Sequence, residues 1–207
     1  MSSHNNNTAP KVISPSKLAH IVLHTNKFDA MTRFYKFFLN ATASYENEQL
    51  SFLTYDEEHH RIALVNMPDL KDKDPRHAGL GHMAFTFDSL HDLCESYKAR
   101  KALGIEPGWC VKHGPTVSMY YQDPDGNTLE TQVDSFDTAE AANEFMHSPE
   151  FAQNPLGTDF EPEELCKAVD GGESELELRV RREIGARGSP EDFMVIMAKM
   201  ATAKVGA

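Results

Sequence analysis

Cysteine is scarce. The 207-residue chain holds three, Cys94, Cys110 and Cys166, odd in number and in no CxxC spacing, which argues against a disulfide framework and a structural zinc site. Long apolar runs are missing as well. No stretch approaches the roughly 18 consecutive apolar residues that a membrane span needs, and "MSSHNNNTAPK" has no apolar signal core; the expected compartment is the cytosol. Basic residues are in the minority: 20 Lys and Arg stand against 32 Asp and Glu, a net charge of −12. Such a surface repels the phosphates of nucleic acid and an anionic membrane face, so the expected partner is a small molecule.

What is present is enough for a packed core. With 40% hydrophobic and 25% charged residues, the composition suits one domain or two small similar modules. Residues 1–15, polar and rich in Asn and Ser, read as a loosely attached arm. From there "LAHIVLHT" reads as a strand. "KFDAMTRFYKFFLN" spaces Phe28, Met31, Phe34, Tyr35 and Phe38 as the stripe of an amphipathic helix. Three strand candidates follow, "ATASYE", "LSFLTYD" and "HHRIALVN", giving the order β-α-β-β-β over about residues 16–67. After the charged linker "PDLKDKDPRHA" the order starts again over about 80–134. Its parts are "HMAFTF", a helix "SLHDLCESYKARKAL" with Ser89 as N-cap, a loop, "TVSMYYQD", and "TLETQVD" behind the turn "DPDGN". The expected fold class is α+β: two βαβββ modules paired into a cup, with a mostly helical extension over 135–207.

The repeat carries chemistry. Aligning "LAHIVLHT" with "LGHMAFTF" puts His20 over His82. Sliding "SFLTYDEEHHRIAL" against "SMYYQDPDGNTLE" sets Ser51 on Ser118, Asp56 on Asp123, Ile62 on Leu129, and Ala63 opposite Glu130. Two modules packed about a pseudo-twofold axis bring equivalent strand positions together. His20, His82 and Glu130 then form a set of two imidazoles and one carboxylate, which fills one face of a metal and leaves other positions open, as iron(II) oxygenases require; zinc would tolerate the same ligands. Ala63 offers no fourth ligand.

These stretches resemble the vicinal oxygen chelate superfamily over about residues 17–134: "LAHIVLHT", "GLGHMAFTF" and "YYQDPDGNTLE" match its first histidine, second histidine and terminal glutamate. Within it the chain is most similar to compact, one-pair extradiol ring-cleaving dioxygenases of the biphenyl-2,3-diol 1,2-dioxygenase type. "EHHRIAL" resembles their His-His-x-Leu-Ala-Phe stretch, and Tyr120 stands ten residues before Glu130 as their active-site tyrosine does. The resemblance implies metal ligands His20, His82 and Glu130; iron(II), or manganese(II), with O2 as co-substrate; and a small aromatic diol as substrate. It further implies His60 as acid/base, with Tyr120 and His113 beside it. His113 departs from the pattern, lying seven residues before Tyr120 where the family has nine. An imidazole with an ordinary pKa near 6.5 suits proton exchange with a catechol.

Two other classes compete: a glyoxalase-like metal-dependent isomerase or lyase, which usually has a fourth protein ligand, and a binding module without metal ligands. Trp109, Phe52 and Met119 are candidates for an apolar wall. In the extension, "SPEDFMVIMAKMA" reads as a capped helix with Phe193, Ile196, Met197 and Met200 on one face, available for packing, a lid or a homodimer contact. "ELELRVRREIGARG" reads as a solvated helix.

Overall fold

The computed structural model describes residues 12–206; most of the expected N-terminal arm, residues 1–11, lies outside them. The first module opens with β1 (Ile21–Thr25), which half-buries Ile21 and Leu23 and exposes Val22 and His24. Helix α1 (Phe28–Phe38) forms on the expected stripe, and Phe28, Met31, Phe34, Tyr35 and Phe38 are all buried. Each such side chain contributes roughly 1.5–3 kcal/mol by leaving water. The helix stops where Asn40 adopts a left-handed φ of 50°. The N–H groups of Asn40 and Ala41 turn back to the carbonyls of Phe37 and Lys36 at 3.1 and 2.8 Å. Strands β2 (Thr42–Glu46), β3 (Leu50–Thr54) and β4 (Ile62–Asn66) complete a sheet of order β1-β4-β3-β2, with β1 parallel to β4.

The second module repeats this plan with β5 (His82–Thr86), α2 (Leu90–Ala102), β6 (Ile105–Glu106), β7 (Trp109–Lys112), β8 (Thr116–Gln122) and β9 (Thr128–Asp134). Ser89 caps α2 as expected, accepting from the Asp92 N–H at 3.0 Å. The segment expected as a loop after α2 instead holds β6 and β7. Four residues are too few to display a clear two-residue alternation, and the pairing of β7 with β8 supplies the ladder that makes a strand of them.

Strand register tests the internal repeat. Ile21 pairs with Ile62 and Val22 with Ala63 in module one; Met83 pairs with Leu129 and Ala84 with Glu130 in module two. His20 and His82 therefore hold equivalent places, as do Ala63 and Glu130. The ungapped slide fails one strand earlier. Phe52 pairs with Ala63 where Tyr120 pairs with Glu130, so Phe52, and not the Leu53 of the ungapped slide, is matched to Tyr120. The hairpin of module one is one residue longer, which moves Ser51 to the face occupied by Met119 instead of that of Ser118.

The extension runs through α3 (Ala139–Met146), α4 (Pro149–Gln153), β10 (Thr158–Asp159), α5 (Pro162–Asp170), α6 (Glu175–Arg179), α7 (Pro190–Met200) and β11 (Lys204–Val205). It wraps module two: β10 adds an edge to the second sheet beside β7, and β11 pairs with β6. The Glu175 carboxylate caps the N-terminus of α2, accepting from Leu90 and His91 at 3.0 and 3.1 Å. The helix expected over "ELELRVRREIGARG" ends at Arg179, because buried contacts of the following residues outweigh local propensity. Helix α7 carries the expected cap, a full box between Ser189 and Asp192. It packs by Ile196, with Met200 alongside, while Phe193 and Met197 face solvent.

Side chains join the modules. One hydrophobic cluster runs from Met31, Phe34 and Phe38 through Leu53 and Leu64 to Met83, Leu93, Met119 and Tyr121. The buried Arg100 guanidinium lies 3.9 Å from the Phe38 ring centroid and donates to the Phe38 carbonyl at 2.7 and 3.2 Å. Tyr35 donates to Asp123 at 2.9 Å from the other module. Removing that hydroxyl in Tyr35→Phe should cost about 1.5 kcal/mol and lower the thermal midpoint by about 3–6 °C. An unchanged midpoint in a melt followed by circular dichroism would mean that the donors of its own turn, Asn127 and the Asp125 N–H, satisfy Asp123 without Tyr35.

Candidate functional site

Parity along the strands places most of the site on module two. Val117, Met119 and Tyr121 of β8 enter the core, so Ser118 and Tyr120 take the opposite face. On β9 Leu129 and Val133 enter the core and Glu130 joins Tyr120. On β5 Met83 is buried and His82 lies beside Glu130, with Nε2 3.0 Å from Oε2. The Tyr120 ring meets His82 edge-on at 5.5 Å and stacks on Trp109 at 4.9 Å. Its hydroxyl is 2.9 Å from His113 Nε2 and lies close to the Glu130 charge.

Burial sets the protonation of this group. It pushes Glu130 up, but hydrogen bonds from His82 and Ser118 and the nearby imidazoles outweigh it and hold the carboxyl below its ordinary range. The bond to Glu130 raises His82 against its own desolvation. Burial lowers His113, and burial together with the Glu130 charge raises Tyr120 well above a usual phenol. At neutral pH Tyr120 is therefore a donor. The Leu156 backbone lies near the His113 ring and favours a ring proton on that side, so Nε2 is left to accept from Tyr120.

Module one supplies the other wall. His20, just before β1, is exposed, and its ring centroid lies 4.2 Å from that of His60. His60 stacks on Phe52 at 4.8 Å, and its Nδ1 faces His59 Nδ1 at 2.5 Å. Desolvation, with His20 and His59 adding to it, lowers His60. Ala63 is buried at the position equivalent to Glu130.

His82, Glu130, Tyr120 and His113 thus come together on one module, and His20 and His60 on the other. His20 and His82 line a common cavity of about 330 Å³ between the β1 and β5 edges. Among the described residues no three His, Cys, Asp or Glu side chains converge as a ligand set. β1 and β5 belong to separate sheets, so side-chain packing and not a backbone ladder sets the distance between the two edges. The donors suit a divalent cation in kind: one carboxylate and one imidazole are already in contact, and a second imidazole stands on the facing edge of the same cavity.

The apolar wall differs from expectation. Met119 points into the core, away from Tyr120, because neighbouring strand residues alternate. Trp109 and Tyr120 are covered by Leu156 and Ile196 from the extension. Trp109 donates to Asp159 Oδ1 at 2.9 Å, and Arg187 pairs with the same oxygen at 2.6 Å. Leu156 and Asp159 were not legible as site residues; their nearest signal is the turn "NPLG". Burial pushes Asp159 up, but Arg187, Lys199 and Trp109 hold it below the usual carboxylate range. A depressed carboxyl stabilises the fold above its ordinary pKa and loses that contribution as pH falls through the lowered one. Acidification below about pH 4 should therefore loosen the packing around Trp109, and Asp159→Asn should flatten this acid limb of stability. Equal limbs in both proteins, followed by Trp109 fluorescence, would remove Asp159 as its origin.

The family profile described as the Glyoxalase/Bleomycin resistance protein/Dioxygenase superfamily matches residues 17–131. Biphenyl-2,3-diol 1,2-dioxygenase 2 of Rhodococcus globerulus is 46% identical over 157 residues, covering 75% of this chain and 83% of the relative. Biphenyl-2,3-diol 1,2-dioxygenase 3 of the same organism is 46% identical over 167 residues, 80% and 88% of the two chains. Among solved structures, a fosfomycin resistance protein from Listeria monocytogenes shares 24% identity over 62% of this chain and 99% of its own, with a TM-score of 0.48.

Proposed function

The chain belongs to the glyoxalase/bleomycin resistance protein/dioxygenase superfamily and is an extradiol ring-cleaving dioxygenase, and on that footing we propose that it opens a biphenyl-2,3-diol or a similarly substituted catechol with O2, using iron(II) held by His20, His82 and Glu130. The observation that carries this reading is the buried Glu130 paired to His82 at 3.0 Å while its symmetry counterpart is Ala63. One carboxylate, two imidazoles and an empty fourth corner leave room for two exogenous ligands. Bound there, iron(II), with manganese(II) as the alternative, supplies the positive charge at which a catechol and O2 are drawn side by side.

The remaining work belongs to the chain's own groups. His60 is neutral near pH 7, since its pKa is lowered, and takes a proton from a catechol hydroxyl and returns it later. Its ring stacks on Phe52, with 4.8 Å between ring centroids. Tyr120, whose one hydroxyl proton is directed to His113 Nε2, presents its phenol oxygen to accept from a substrate hydroxyl. Trp109 backs Tyr120 and, with Leu156, keeps water from that side of the site.

The test is anaerobic reconstitution with Fe(II), then 2,3-dihydroxybiphenyl and air, following oxygen uptake and the yellow of a ring-opened product. Uptake with colour is expected. Metal binding without uptake across several catechols would favour the isomerase or lyase chemistry known elsewhere in the superfamily. His20→Ala, His82→Ala and Glu130→Ala should each lose bound iron, measured by elemental analysis, together with activity. His60→Phe should keep iron and lose about 10²- to 10⁴-fold in kcat; full turnover in that variant would remove His60 from the mechanism.

A further inference from the structure

Arg181 sits in the segment whose sequence pattern suggests a solvated helix, yet its side chain is only 2% exposed. A guanidinium has five N–H donors in a planar fork, and each one here has an acceptor. Nε and Nη2 grip the Glu183 carboxylate at 2.9 and 3.0 Å, and Nη2 also reaches the Glu150 carbonyl at 3.3 Å. Nη1 bonds the carbonyl of Asn154 at 2.7 Å and that of His113 at 2.9 Å. The last contact leaves the extension and enters the turn that carries a site residue.

The same turn is closed from two further sides. Gly114, at φ 110°, lies so close to Phe145 that a Cβ there would stand 2.1 Å from a ring carbon. Gly157, at φ 92°, meets the Lys112–His113 backbone, and a Cβ would stand 2.7 Å from the His113 Cα. Arg181 itself lies 5.0 Å over the Phe145 ring, so the guanidinium and both close approaches form one clamp.

We propose that Arg181 is a positioning residue for ring cleavage: by holding the His113 carbonyl it fixes the turn from which the His113 imidazole orients Tyr120. The inference rests on the reading of Tyr120 as a group that touches substrate. Lysine cannot replace the fork, since an ammonium has three donors about a point charge and cannot span four acceptor groups in different directions. A shift of about 1 Å in a group that orients the reacting partners costs up to about a hundredfold in rate, and substrate affinity need not follow.

Arg181→Lys and Glu183→Ala in the full-length protein test this, the second at a half-exposed glutamate so that a folded variant is in hand if the first does not fold. Metal-free, the readout is the emission maximum and acrylamide quenching of Trp109, the single tryptophan of the chain, which packs edge-on against His113 at 5.4 Å and stacks on Tyr120. Loaded with Fe(II), the readout is kcat and KM for 2,3-dihydroxybiphenyl. The expected result is red-shifted, more quenchable emission with kcat reduced about 10- to 100-fold and KM within about threefold of the parent. A folded variant with unchanged kcat overturns the proposal, whether Trp109 shifts or not; a loss confined to KM does so equally. Should the parent protein cleave no catechol, the proposed function fails, and unchanged Trp109 emission in the metal-free variants would then overturn the clamp separately.

Discussion

Everything in this protein depends on one shared core holding two sheets that have no backbone hydrogen bonds between them. Each sheet presents one face to that core, where Phe38 of α1 meets Tyr121 of β8 edge-on at 5.1 Å and Arg100 of α2 closes over Phe38. Because side chains alternate along a strand, committing one face to the core releases the other for chemistry. Arg100 also satisfies a carbonyl at the end of α1, so a buried charge ties the helix of one module to that of its counterpart. Burial of such a group costs free energy unless its donors are used, which makes the Phe38 carbonyl a specific partner and not an incidental one.

The released faces are treated unequally. In module two the extension lays Leu156 and Ile196 over Trp109 and Tyr120, and burial there shifts the protonation of Glu130, Tyr120 and His113. Among the described residues no comparable segment covers module one: Val22 and Tyr45 are about half exposed, and His20 is exposed. A rigid, partly desolvated wall carrying the carboxylate thus stands against an open wall carrying His60 and Phe52. This division suits a site that must admit a flat aromatic substrate from one side while keeping its donors oriented from the other.

The register explains how a repeated module came to be asymmetric in chemistry. Equivalent positions carry His20 and His82, Ala63 and Glu130, and, after the one-residue hairpin difference, Phe52 and Tyr120. One copy supplies the carboxylate and phenol, whereas the other supplies small or apolar side chains at the same places. On the proposed metal reading, a second carboxylate at the Ala63 corner would take one more ligand position, so the alanine matters to the site as much as the glutamate.

Much of this was determined by the sequence alone. The α1 stripe and most of the strands follow from short-range periodicity, which the backbone obeys wherever one face is buried, and the equivalence of His20 with His82 and of Ala63 with Glu130 follows from aligning the two copies. Tertiary structure decided the rest: that β7 is a strand, that Ser51 and Ser118 are not equivalent, that Met119 belongs to the core, that His20 stands with His60 across a cavity from His82, and that Arg181 reaches His113. Each of these depends on partners 10 to 70 residues away or on a single inserted residue in a hairpin, and a periodic pattern carries no information about contacts made across that distance.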